Sequence, residues 1–251
     1  MALGREAQMK EKTQVREILN RLKSLSSPDS LKGMGRFGIH TEKAFGVSIP
    51  NLRKIAKALR GNHTLALQLW ESGVHEARIL AGMMDDPQMV NEPQMEEWVQ
   101  GFDSWDLCDQ CCSNLFDKTK LAYPKAIEWS KRKEEFVKRA GFVLMACLAV
   151  HDKEKNDKAF EKFLSIIQKE SKDDRNFVKK AVNWALRQIG KRNPSLHRKA
   201  IETARAIHHS KTKTARWIAA DALRELESAG VRMRLAMGNH PKKRNKKEDP
   251  G

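Results

Sequence analysis

Apolar residues recur every three to four positions nearly from one end of the chain to the other, which is the spacing of one face of an α-helix. No segment alternates apolar and polar residues with a period of two, so the sequence predicts no β-strand. Turn-forming residues interrupt the helical pattern at regular intervals, as at Gly61-Asn62, Asp86-Pro87 and Asn193-Pro194. The pattern therefore predicts an all-α chain of about twelve helices joined by short loops.

Taken in pairs, these helices repeat about every 40 residues, which is the length of a HEAT or armadillo unit. The copies share little sequence, so this prediction rests on helix spacing. We expect a HEAT-like helical-repeat solenoid of about six antiparallel helix pairs with a concave basic face, formed as a single domain by residues 1–237. A plain helical bundle is the alternative architecture.

Two segments lack the helical pattern. Residues 32–48 contain four glycines, and we expect a loop there between the first helix and the solenoid. The last helix is expected to end near Gly230. Residues 238–251 are rich in lysine and predict a disordered basic tail.

The chain carries a formal net charge of +16, from 48 Lys and Arg against 32 Asp and Glu. Residues 241–251 hold five basic and two acidic side chains, so most of the excess belongs to the body of the protein. A basic body favours a polyanionic partner through counterion release. A HEAT-type scaffold for other proteins is a competing interpretation, and it predicts no strong salt-dependent binding to DNA.

Nothing in the sequence predicts a membrane protein. No segment approaches the roughly 18 consecutive apolar residues that a membrane span needs. The first residues mix charged and small side chains without the apolar region of a signal peptide. We expect no membrane contact and a cytoplasmic monomer that acts at a bacterial or archaeal nucleoid.

The cysteines predict neither a metal site nor a redox motif. Cys108 and Cys111 have the C-x-x-C spacing, but they lie inside a helical pattern, and no second pair completes a set of four zinc ligands. We therefore expect buried, reduced thiols. No metal and no small-molecule cofactor is predicted.

Trp105 and Asp109 lie four residues apart, which places an indole and a carboxylate on the same side of one helical turn. A carboxylate in a basic DNA-binding surface repels phosphate, so another role must offset that cost. It could stabilise the positive charge that develops on a deoxyribose as its N-glycosidic bond breaks, or orient the attacking water. An exposed aspartate paired with a lysine is the alternative.

Trp184 and Arg139 depart from the apolar stripes of their helices. Trp184 shares a face with Lys180 and Arg187, where an indole suits contacts with DNA backbone and sugar. Packing of Trp184 against a neighbouring repeat is equally compatible with the pattern. Arg139 stands at the edge of its stripe beside Lys138, where its planar fork could hold a phosphate by two contacts. A surface arginine with no specific contact is the alternative.

Lys179 and Lys180 are candidates for either chemistry or DNA contact. A lysine nucleophile would form a Schiff base and lead to strand cleavage, and it requires a lowered pKa. Charges in a wet cleft are screened, so we expect phosphate contacts and a monofunctional enzyme.

Three segments of the chain resemble those of the AlkD-like DNA alkylation repair family, whose members are HEAT-like repeat DNA glycosylases. They are SWDLCD at 104–109, VKRA at 137–140 and FVKKAVNW at 177–184. The Gly38-Ile39 turn and the helix entry at 46–53 are similar too, and the resemblance spans about residues 10–230. Ser104 is a departure, because the family pattern often has a second tryptophan there.

The resemblance implies roles for individual residues. Asp109 would be the catalytic carboxylate, and Arg139 would hold the phosphate. Trp105 and Trp184 would pack on the sugar and backbone of the lesion nucleotide. Further DNA contacts are expected from four basic residues, Lys138, Lys179, Lys180 and Arg187.

The function implied is that of a glycosylase that excises cationic N3- or N7-alkylated purines from duplex DNA and leaves an abasic site for base excision repair. Such a base is already a good leaving group, so little acid catalysis is needed. Most enzymes of this kind extrude the base into a pocket, but the resemblance implies recognition through backbone and sugar instead. The alternative is a non-catalytic HEAT-like binder of bent or branched DNA, in which Asp109 would have no chemical role.

Overall fold

The computed structural model describes the backbone of residues 2–237 and the side chains of residues 13–237. This part of the chain is all-helical. Its elements are α1 (Ala2–Ser24), α2 (Pro28–Arg36), α3 (Ile49–Leu59), α4 (His63–Glu71), α5 (His75–Met84), α6 (Glu92–Gln100), α7 (Trp105–Asn114), a 3-10 turn (Phe116–Lys118), α8 (Ala122–Trp129), α9 (Glu135–His151), α10 (Asp157–Glu170), α11 (Asn176–Gly190), α12 (Pro194–His208), α13 (Lys213–Leu226) and α14 (Ala229–Ala236).

The helices form two layers. Helices α3, α5, α7, α9, α11 and α13 pack one against the next in that order, and we call them the front layer. Behind them, α4 packs on α5, α8 on α9, and α12 on both α11 and α13. This arrangement of stacked helix pairs is the repeat architecture that the helix spacing predicts.

The segment 32–48 differs from the prediction, because α2 occupies its first part. The Ser27 hydroxyl caps α2 by accepting a hydrogen bond from the Ser30 amide at 3.2 Å, and Pro28 suits the first turn. None of the side chains of α2 is buried. A helix without a buried stripe gives no apolar periodicity, which is why the sequence pattern missed it.

Other helix boundaries also differ from the prediction. The last helix was expected to end near Gly230, but α14 begins at Ala229 and ends at Ala236. Helix α8 begins at Ala122, and Tyr123 and Pro124 lie in its first turn, where proline is tolerated. The break between α12 and α13 was not predicted. Its signal is Thr212, whose hydroxyl accepts a hydrogen bond from the Ala215 amide at 3.3 Å.

The core is continuous through both layers, and α9 lies at its centre. Thirteen consecutive residues of α9, from Val137 to Ala149, are buried. In the same core, the rings of Trp70 and Trp98 stack with their centroids 4.3 Å apart. All four cysteines are buried and unpaired, as the helical pattern around them predicts. A helix buried on every side gives the neighbouring front-layer helices a rigid support.

No helix in the described range is long and apolar enough to cross a membrane. The predicted basic tail, residues 238–251, lies outside the described residues.

Candidate active site and nucleic-acid interface

Helix α7 carries Trp105 and Asp109 on its outer side. Its inner side is formed by Leu107 and three cysteines, which are fully buried. Ser104 precedes the helix with extended backbone angles, φ −150° and ψ 157°, so Trp105 is the first helical residue. The spacing of four residues then places Trp105 and Asp109 on one face, and both side chains are half-buried. This juxtaposition was predicted from the sequence.

Both side chains face a surface cavity of about 520 Å³ between α2, α7, α9 and α11. Its wall combines three aromatic rings, one carboxylate and three cationic side chains. The rings are Phe37, Trp105 and Phe177, the carboxylate is Asp109, and the cations are Arg36, Arg139 and Lys180. Gly38 and Asn176 complete the wall. The segment that follows α2, part of the loop that the sequence predicts, forms one wall of the cavity.

The floor of the cavity is an ion pair between Asp109 and Arg139. Arg139 Nε donates to Asp109 Oδ1 at 2.9 Å, and Nη2 donates to Oδ2 at 2.8 Å. Arg139 Nη1 donates to the Phe177 carbonyl oxygen at 2.6 Å. Only 5% of Arg139 is exposed, so it is not the surface arginine without specific contacts that the sequence left open as the alternative.

This ion pair affects the charge of the carboxyl. Burial raises the pKa of the Asp109 carboxyl above its ordinary value, and the positive charge and hydrogen bonds of Arg139 offset part of that shift. For Arg139, burial works against the charge, but Asp109 outweighs it and raises the pKa. Arg139 therefore favours the charged form of Asp109, and the carboxylate and the guanidinium lie side by side at the floor of the cavity.

Trp105 is fixed in place by the chain that follows α2. Its indole Nε1 donates a hydrogen bond to the Phe37 carbonyl oxygen at 3.2 Å. The next residue, Gly38, has a φ of +74°, and a Cβ at this position would lie 3.2 Å from the Phe177 ring. Glycine thus permits both the turn and the close approach of Phe177 across the cavity.

A second ion pair lies behind Trp105. His75 Nε2 and Asp106 Oδ2 are joined by a hydrogen bond of 2.9 Å that connects α5 to the first turn of α7. Burial works against protonation of His75, but the hydrogen bond and charge of Asp106 outweigh it and raise the pKa of the imidazole. This pair anchors the start of the helix that carries Trp105.

The lysines that were predicted to contact DNA differ in exposure and in ion pairing. Lys180 is exposed at the rim of the cavity and forms no ion pair with any described residue. The Lys179 ammonium lies 5.5 Å from the ring centroid of Trp217 on α13. Lys138, by contrast, is buried, and its Nζ lies 2.8 Å from Glu170 Oε2 and 2.9 Å from Asp173 Oδ2.

The structure therefore corrects the expectation for Lys138. Burial works against its charge, but hydrogen bonds to Glu170 and Asp173 outweigh burial and raise the pKa of Lys138. The ammonium group of Lys138, which was expected to contact a DNA phosphate, is thus bound by two carboxylates of the protein. Arg187 is similarly occupied, because its guanidinium pairs with Glu225.

Trp184 is not among the residues that line the cavity. It is half-buried and packs against the hydrophobic core, so the structure does not bring it together with Trp105 and Asp109. Of the two interpretations that the sequence left open, packing within the repeat describes the observed position.

A family model described as DNA alkylation repair enzyme matches residues 18–226, which is most of the chain. The protein belongs to the DNA alkylation repair enzyme family. The resemblance stated from the sequence segments is confirmed by this match.

Two similar proteins place this family member in context. An uncharacterized protein of Listeria innocua, Lin0241, is 24% identical over 190 residues, which cover 74% of this chain and 83% of the relative. A solved structure superimposes with a TM-score of 0.73 at 22% identity and covers 88% of this chain and 95% of the other. It is described as a new family of proteins related to the HEAT-like repeat DNA glycosylases with affinity for branched DNA structures. The all-α, HEAT-like fold is thus confirmed.

Sequence reasoning missed several residues of this family member's cavity. Arg36, Phe37 and Asn176 gave no signal in the helical pattern, because they lie at the ends of helices or just beyond them. Trp217, which does not line the cavity but contacts Lys179, did give a signal. It lies outside the apolar stripe of its helix in the same way as Trp184, and the rule that selected Trp184 would have selected it too.

Proposed function

We propose that the protein is a monofunctional DNA glycosylase that hydrolyses the N-glycosidic bond of cationic N3- or N7-alkylated purines in duplex DNA. The observation that carries this proposal is the Asp109 carboxylate, held by Arg139 at the floor of an aromatic, basic cavity. A basic cavity wall attracts DNA phosphates, and a fixed negative charge within it suits a step in which positive charge develops.

The chemical step needs little more than this charge. An alkylated purine carries a positive charge and leaves as a neutral base, so no general acid is required. Breakage of the glycosidic bond leaves an oxocarbenium-like sugar, which the Asp109 carboxylate and the electron-rich face of Trp105 stabilise. Water then attacks the sugar, oriented by an Asp109 oxygen, and releases a proton to solvent, so that the products are the neutral base and an abasic site.

Arg139 has a different role from the phosphate contact implied by the resemblance. Its Nε, Nη1 and Nη2 each donate one hydrogen bond within the protein. A guanidinium has five donors, so two remain. We assign Arg139 mainly to the orientation and charge of Asp109, as a positioning residue.

The exposed cations Lys180 and Arg36 at the cavity rim are the better candidates for phosphate contact. Neither forms an ion pair with a described residue, so neither has to be released from a carboxylate before it binds DNA. A cavity of about 520 Å³ has room for a sugar and part of a base. It therefore supports sugar and backbone recognition, with space for bulky alkyl groups.

The second candidate function is a non-catalytic binder of branched DNA. It is favoured by one observation, namely that both oxygens of Asp109 already accept hydrogen bonds from Arg139. The similar solved structure is also described as having affinity for branched DNA. In such a protein the ion pair would have only a structural role.

The deciding experiment measures base release from duplex DNA that contains a single 7-methylguanine. We expect release by the natural protein and a loss of about a hundredfold or more in Asp109→Asn, as for other groups that stabilise developing charge. Asp174→Asn is the matched control, since it makes the same chemical change at an exposed site. Both variants must remain folded at the assay temperature, shown by circular dichroism, and must retain DNA binding. DNA binding without release by the natural protein would favour the branched-DNA binder.

A further inference from the structure

Trp217 is the most exposed of the six tryptophans, with 43% of its surface accessible. The buried stripe of α13 is formed by other residues: Ala215, Ile218, Ala219, Ala222 and Leu226. The core therefore does not need this indole. An exposed large apolar side chain on a folded surface often contacts a partner.

The surroundings of Trp217 are positively charged. The Lys179 ammonium lies 5.5 Å from the ring centroid. Lys213 is one helical turn away on the same side, and Arg216 is adjacent; both are exposed, and neither forms an ion pair with a described residue. The acidic neighbour one turn later, Asp221, is paired with Arg224. The patch thus has the charge that complements a phosphate backbone.

This patch is a direct extension of the candidate active site. Lys179 of the patch is followed in the chain by Lys180, which lines the cavity. Helices α11 and α13 pack against each other in the front layer. A DNA strand that leaves the cavity past Lys180 therefore meets Lys179 and Trp217 next.

We propose that Trp217 stacks on an unpaired base of the bound DNA, while Lys179 and Lys213 contact the flanking phosphates. This inference rests on the proposed DNA-binding function. Bases within a duplex are already stacked on both faces, so an exposed indole gains stacking energy only from a base that has left the helix. Aromatic rings beside lysines are the usual arrangement for single-stranded nucleic acid. The protein thereby prefers DNA with unpaired nucleotides next to its site.

The experiment compares affinity for two labelled duplexes that differ only in a three-nucleotide bulge, measured by fluorescence anisotropy. The natural protein should bind the bulged duplex more tightly. Trp217→Ala should lose about tenfold in affinity for the bulged duplex and little for the paired one. Trp217→Phe keeps a ring and should keep most of the preference. Met233→Ala, an exposed apolar side chain on α14, is the control and should change neither affinity.

Two results would overturn the inference. One is a natural protein without preference for the bulge, and the other is a Trp217→Ala variant that loses equal affinity for both duplexes or none. Base release from the paired 7-methylguanine duplex is measured separately. Release of 7-methylguanine by a protein without a bulge preference would contradict this inference alone. A bulge preference without release of the base would contradict the glycosylase proposal alone.

Discussion

Arg139 holds Asp109 by two contacts, with Nε 2.9 Å from Oδ1 and Nη2 2.8 Å from Oδ2. Its third contact is to the Phe177 carbonyl oxygen. One guanidinium thus connects α7, α9 and α11, three successive helices of the front layer. The ion pair stabilises the cavity floor and sets the direction of the carboxylate at the same time.

Loss of this guanidinium should destabilise the fold. Arg139→Gln leaves the Asp109 charge buried without its partner, so we expect the free energy of unfolding to fall by about 3–5 kcal/mol. Urea denaturation followed by circular dichroism measures this change. Arg224→Gln is the control, because its pair with Asp221 lies at the surface and should contribute at most about 1 kcal/mol. If the free energy of unfolding fell by the same small amount in both variants, the Arg139–Asp109 pair would contribute no more to stability than the surface pair.

Base release should depend on the ionisation of Asp109. Burial raises the pKa of this carboxyl above 3.8, and Arg139 offsets part of the shift. The rate should therefore rise with pH through a midpoint above 3.8 and then level off, because only the ionised carboxylate stabilises the sugar. Single-turnover rates, corrected for depurination without enzyme, measure the midpoint. In Arg139→Gln the offsetting charge is gone, and the midpoint should move to higher pH. An unchanged midpoint would contradict the proposed influence of Arg139 on the ionisation of Asp109.

Stability should fall with rising pH because of the His75–Asp106 pair. The folded-state pKa of His75 lies above 6.5, so its stabilising contribution is complete below pH 6.5 and is lost as the pH rises through the raised value. Asp106 acts oppositely, since its pKa is lowered and its contribution is lost only in acid. Urea unfolding at several pH values from 6.5 upward should give a slope in the natural protein that His75→Gln lacks. The exposed His208, replaced by Gln, should leave the slope intact.

Two lysines of the predicted DNA-binding set should behave differently. Lys180→Ala should weaken binding to any duplex and reduce the salt slope by about one, because it removes a phosphate contact. Lys138→Ala should leave the salt slope unchanged and lower the free energy of unfolding instead, because Glu170 and Asp173 lose their cation. Duplex affinities at several salt concentrations distinguish the two. A reduced salt slope in Lys138→Ala would contradict its buried position.

The sequence determined the fold class because helical periodicity is a local property. Each long helix with a buried stripe, such as α9 or α11, repeats its apolar residues at a spacing that can be read from the chain alone. The pairing of Trp105 with Asp109 followed from the same local geometry. Helix α2 was missed because it has no buried residue.

Only the tertiary structure decided which charged residues are available to DNA. Lys138 and Lys180 are both lysines in basic segments, but one is held by two carboxylates from distant parts of the chain and the other is exposed. Likewise, Arg139 contacts residues 30 and 38 positions away rather than solvent. Ion pairs between helices depend on how those helices pack, and the periodicity of a single helix contains no information about the partner that faces it.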